Sequence, residues 1–165
     1  MPEPLDVVRS YLHLLGPANP KAVAAYVDAP VKDVKNRWPE DVVAVSVAGE
    51  TRWVLAGDLP DLRSAPRRSE VVRLLSPFDM FLQARDRDLL VPEVARRKLL
   101  WVALGRPGAV VSGGEVVGTW RPRTSGRSLR LLLDLWCPVP EVPLREQVER
   151  LAAYRGHSYA GPADE

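Results

Sequence analysis

The chain has 165 residues and a mass of 18.3 kDa, room for one ordinary domain or two small ones. Its 46% hydrophobic and 27% charged residues exclude wholesale disorder, collagen-like repeats and a simple coiled coil. No apolar run reaches the ~18 residues of a membrane span, and Met1-Pro2-Glu3-Pro4 lacks the basic-then-apolar signature of a secretion signal.

The spacing of Leu5, Val8, Leu12 and Leu15 predicts a first helix from Pro4 to Leu15, stopped by Gly16-Pro17. Asn19-Pro20 reads as an N-cap and a first-turn proline opening a second helix with Val23, Tyr26 and Val27 inward. Asp28-Ala29-Pro30 breaks it, and a third helix follows with Val31, Val34 and Trp38 inward. Lys32, Asp33, Lys35 and Asn36 then face out. Val43, Val45 and Val47 alternate along a strand, Ala48-Gly49-Glu50 turns, and Arg52 to Ala56 returns, with Trp38 and Trp53 expected on Leu12 and Val34. Three short helices and a hairpin are the order of a winged helix-turn-helix, which presents its third helix to the major groove.

Residues 57–70 read as a linker rich in Pro, Gly, Asp and Ser. Beyond it, Val71 to Leu75 and Asp88 to Val91 read as short strands around the Ser76-Pro77-Phe78-Asp79 turn, and Ala95 to Leu104 as a helix ended by Gly105. Ala109 to Ser112, a Gly113-Gly114 turn, Val116 to Trp120, a Thr124-Ser125-Gly126 turn and Leu129 to Trp136 form an antiparallel meander. Leu144 to Tyr154 is a last amphipathic helix, and the tail from Gly156 is expected to fray. The fold class is therefore α+β: a winged helix-turn-helix domain at 1–62, then a basic domain at 63–165, a small antiparallel β-barrel or meander with flanking helices.

The formal charge of +2 conceals a segregation. Residues 1–62 carry six bases against nine acids, residues 63–130 fourteen against six, and residues 131–165 three against six. Nineteen of the 23 bases are arginine, whose planar fork suits phosphate. From Arg96 to Arg130 the only acid is Glu115. Arg97, Lys98, Arg121, Arg123 and Arg127 are accordingly candidate phosphate contacts, beside Lys32, Lys35 and Asn36 on the third helix. The expected partner is double-stranded DNA.

Candidates for chemistry are weaker. Gly113-Gly114 joins two strands rather than opening a helix, so it is not a phosphate loop. Asp79, Asp86, Asp88 and Glu93 are interleaved with Arg85 and Arg87 and read as a locally paired turn rather than a catalytic pair. His13 reads as a half-exposed structural side chain, and Cys137 as packed and inert. One cysteine and two histidines give no disulfide and no zinc spacing, so neither a cofactor nor a metal is expected, and the cytoplasm is the expected location.

Leu74-Leu75-Ser76-Pro77-Phe78-Asp79, Arg85-Asp86-Arg87-Asp88, Arg97-Lys98 and the hairpin Val116-Val117-Gly118-Thr119-Trp120-Arg121 resemble the bacterial winged-helix DNA glycosylases of the AlkZ-like, crosslink-repair family. Gly16-Pro17-Ala18 is similar to the start of that family's final winged helix. The resemblance implies tandem winged helices followed by a β-barrel, with glycosylase chemistry assigned to a Gln-x-Gln or Gln-x-Asp motif in an N-terminal winged helix. Gln83 and Gln147 are the only glutamines here, and neither stands in that motif, so no catalytic residue carries over. The chain resembles the C-terminal half of such a protein. The leading expectation is a DNA-binding winged-helix protein without the catalytic glutamines. The alternatives are a glycosylase, or a subunit of a split one, acting on alkylated or crosslinked bases, and an interaction module that docks on a protein carrying the N-terminal winged-helix half.

Overall fold

The computed structural model describes residues 6–64, 71–83 and 86–162. The predicted helix start at Pro4, much of the predicted linker and Arg85 fall outside them. The described residues form two compact units, one of residues 6–64 with Gln83, the other of residues 71–82 and 86–162.

In the first unit, helix α1 (Val7–Leu15) is capped by Asp6, whose carboxylate accepts the Arg9 N–H at 3.0 Å. Asn19 caps α2 (Pro20–Val27) in the same way, accepting from Ala22 N at 2.8 Å, with Pro20 in the first turn where its missing donor costs nothing. Helix α3 spans Val31–Asn36. Val8, Leu12, Val23, Ala24, Val34 and Leu55 fill the space between them. Strands β1 (Val42–Val47) and β2 (Glu50–Leu55) form an antiparallel hairpin. Its two-residue turn places Ala48 and Gly49 at φ 50° and 84°, the left-handed pair that matches strand twist. Ala18 exchanges both backbone hydrogen bonds with Trp53, at 3.0 and 2.8 Å, so the segment between α1 and α2 joins the hairpin as a third, one-residue strand. Trp53 does not pack on Leu12 and Val34 as expected. It lies half-buried at the rim, its ring edge-on to Trp38 at 6.2 Å.

The described part of the predicted linker, residues 57–64, is helical. A 3-10 turn (Ala56–Asp58) leads into helix α4 (Leu59–Ser64), which the sequence disguises because Pro60 sits in the first turn, where proline is tolerated.

The second unit is built on a curled five-stranded sheet in chain order: β3 (Val72–Leu75), β4 (Gly108–Ser112), β5 (Glu115–Ser125), β6 (Ser128–Leu135) and β7 (Ser158–Pro162). It stays open as a half-barrel with β3 and β7 at its edges. The first four strands are antiparallel, as the meander required, but β7 runs parallel to β6. A parallel neighbour needs a long crossover, which helix α8 (Glu141–Tyr154) supplies. The tail predicted to fray is thus partly held as β7. Asp88 to Val91, predicted as a strand, lies largely in a short helix, α6 (Arg87–Leu90), preceded by α5 (Met80–Gln83) and followed by α7 (Val94–Leu100). Four residues around Leu89-Leu90 carry too little periodicity to separate the two states.

Alternation divides the sheet. Val110, Trp120, Leu129 and Leu131 meet Leu144, Val148 and Ala152 of α8 on one face. Ala109 meets Leu82, Val91 and Leu100 of the short helices on the other. Gly108 explains one close contact: a Cβ there would lie 2.2 Å from the Trp120 indole nitrogen, which donates to the Leu75 carbonyl at 2.9 Å.

Candidate nucleic-acid interface

The basic residues of the second unit gather because β5, paired with β6, runs on past the start of β4, while β7 flanks β6 as far as Ser128. Gly108, the first residue of β4, pairs with Trp120, so everything from Arg121 to the hairpin tip has no β4 partner. In this overhang Arg121 pairs across from Leu132 and Arg123 from Arg130, and cross-strand partners point to the same face. Arg121, Arg123 and Arg130 therefore form one row on the face opposite α8, with Arg127 in the Gly126-Arg127 turn. Arg123, Arg127 and Arg130 are exposed, and the sequence holds no acid between residues 116 and 133. Like charges directly opposite each other on a ladder repel and are unfavourable. A bound anion relieves that repulsion.

Arg121 is the exception in this row. Its guanidinium donates from Nη1 to the Gly105 carbonyl, tying the hairpin base to the loop before β4. Arg97 is also engaged, donating from one nitrogen to the Val91 and Pro92 carbonyls, 2.8 Å each. It still borders a groove of about 380 Å³ with Arg87, Asp88, Lys98 and Trp101. There the Arg87 guanidinium lies 5.2 Å from the Trp101 ring centroid. Lys98 is exposed on α7.

Lys32, Lys35 and Asn36 all lie exposed on α3, as the helical spacing required. Asn36 also borders a groove of about 570 Å³ with Val7, Val27, Asp33 and Arg37. These three residues belong to the first unit and the five others to the second. Arg130 and Arg106 were the cations that spacing alone did not single out. The strand register would have found Arg130, because it faces Arg123; Arg106 shows itself only through its approach to Phe78, 5.5 Å from ring centroid to guanidinium carbon.

The remaining sequence candidates are structural. Asp79 accepts the Phe81 N–H at 3.0 Å and closes the turn into α5. His13 Nδ1 lies 2.9 Å from Asp58 Oδ1 with its ring largely exposed. Cys137, expected to be packed, is exposed in the segment after β6. Arg9 makes a two-pronged pair with Asp41 at 2.5 and 3.1 Å. Hydrogen bonds from that guanidinium hold the Asp41 carboxyl below the usual carboxylate range. Among the described residues no helix is long and apolar enough to cross a membrane.

Comparison with known proteins adds a family and a fold. A family model described as "DNA glycosylase AlkZ-like" matches residues 3–154. The solved structure of Streptomyces sahachiroi DNA glycosylase AlkZ superposes with a TM-score of 0.76 at 18% identity, covering 94% of this chain and 44% of that one. The chain thus spans less than half the length of that solved relative. No curated protein matches it.

Proposed function

The chain belongs to the AlkZ-like DNA glycosylase family, and from that premise we propose that it binds double-stranded DNA through phosphates, using chiefly the arginine row of the β5–β6 overhang. The observation that carries this reading is the alignment of Arg121, Arg123 and Arg130 on one face, with Arg127 at the tip and no intervening acid. A row of this kind, with Asp134 as the acid on the same face beside Arg121 at its base, attracts a polyanion toward the Arg123–Arg130 end and releases its counterions on contact. Lys98 and Arg97 extend the basic surface.

Residues 1–62, the bulk of the first unit, are read as a winged helix-turn-helix domain, and residues 63–165 as the basic domain, a division that falls within α4. Three helices, a hairpin and the Ala18–Trp53 bridge support that reading. Its third helix, with Lys32, Lys35 and Asn36, is the secondary contact, because the net acidity of this unit opposes approach to phosphate. Neither Gln83 nor Gln147 lies in a Gln-x-Gln setting, which favours binding over base excision by this chain. Family membership keeps a second reading in view: a glycosylase, or part of one, acting on alkylated or crosslinked bases.

Affinity for two unrelated duplexes, each at two salt concentrations, tests the proposal. Similar affinities that fall steeply with salt are the expected result. Salt-insensitive binding, or none at low salt, overturns it. Release of an alkylated base by the purified chain would favour the second reading.

A further inference from the structure

The end of the sheet at which β5 turns into β6 also carries an apolar tip. β3 and β4 are antiparallel, with Leu75 opposite Ala109, so the turn after β3 and the loop before β4 emerge side by side. The turn presents Phe78, 75% exposed, and the loop presents Leu104, 90% exposed. Neither is exposed because its backbone is loose. The turn is held at its base by the Trp120 indole on the Leu75 carbonyl, and closed by Asp79, whose N–H donates to the Ser76 carbonyl and whose side chain caps Phe81. The loop is held by Arg121 on the Gly105 carbonyl. Arg106 lies over the Phe78 ring at 5.5 Å, so a cation flanks the aromatic tip.

A large apolar side chain held out in water on a rigid turn, beside cations, has the composition of a wedge that enters a base-pair step while its neighbours hold the phosphates. We propose that Phe78 inserts between base pairs of bound duplex DNA, partly unstacking one step, with Arg106 against the adjoining phosphate. The inference rests on the DNA-binding reading above and adds a contact to the bases, which the arginine row does not make. Charge complementarity selects the occupant: Arg106 lies over the Phe78 ring and Arg121 reaches the same loop at Gly105, so the tip favours a polyanion whose stacked bases receive the apolar ring.

The test uses a short duplex carrying 2-aminopurine at several positions, whose emission rises when its neighbours unstack. Binding of the full chain should raise emission several-fold. Phe78→Ala should abolish that rise, with affinity falling only severalfold and the salt dependence kept. Phe78→Trp should restore it. The exposed position leaves the melting curve of Phe78→Ala unchanged. Duplex binding without an emission change, or a rise that persists in Phe78→Ala, overturns the wedge and leaves phosphate binding standing. Failure of the full chain to bind duplex at low salt overturns both.

Discussion

In the first unit Arg9 meets Asp41, Arg52 meets Glu50 and His13 meets Asp58. Along the β5–β6 overhang of the second, four arginines follow one another with no acid in the sequence between residues 116 and 133. Both units are built from the same residue types, yet their fields differ in kind. Charges neutralised by a neighbour contribute a stabilisation that salt screens and little field beyond it. A row of like charges along β5 and β6, beyond the start of β4, contributes little to the fold and a strong field at that end of the sheet. The proposal that DNA is held by the second unit therefore rests on the arrangement of its charges rather than on their number.

The comparison breaks first if the scaffold under the row is removed. Leu131 is fully buried between the sheet and α8, next in the chain to Arg130 of the row. Leu131→Ala should destabilise by about 2–5 kcal/mol, as large-to-small core changes do. Calorimetry should show the loss, and DNA affinity should fall once the second unit melts. An unchanged melting profile would mean that the hairpin does not depend on this core.

A smaller effect sharpens the other side. Arg9 and Asp41 are both about half exposed, so their pair contributes modestly. Because Asp41 ionises more readily folded than unfolded, its contribution is present above the ordinary carboxylate range and is lost as pH falls through its lowered folded value. Asp41→Asn should lower Tm slightly at neutral pH, and the gap to the parent should close in acid. DNA affinity should not fall. A gap that widens in acid would contradict the pairing.

Much of the local structure was legible because the chain states it locally. Asn19-Pro20 opens α2, Gly113-Gly114 turns between β4 and β5, and Val23 and Val34 keep helical spacing to the core. Features that depend on distant partners were not. Parallel β7 is Ser158-Tyr159-Ala160-Gly161-Pro162 itself, a stretch whose residue types do not alternate, and it pairs because α8 returns the chain beside β6. The Ala18–Trp53 bridge joins residues far apart in sequence, and it left Trp53 at the rim where spacing placed it in the core. For the site, composition located the basic segment. Only the register could show that Arg130 joins Arg121 and Arg123, and only tertiary contacts that Arg97 and Arg121 already hold carbonyls.

The central claim is that the overhang, and not α3, holds the duplex. Arg121→Glu with Arg123→Glu should be compared with Lys32→Glu with Lys35→Glu by measuring duplex affinity across a salt series. Each lost phosphate contact flattens the plot of log affinity against log salt by about 0.9. The account predicts that the arginine pair removes most of the affinity and flattens the slope by about two such contacts, while the lysine pair changes both far less. Arg121 also ties down the Gly105 loop, so Arg123→Glu with Arg127→Glu serves as the control that leaves that tie intact and should give the same result. A greater loss from the lysine pair, or equal small losses from all three, would contradict it.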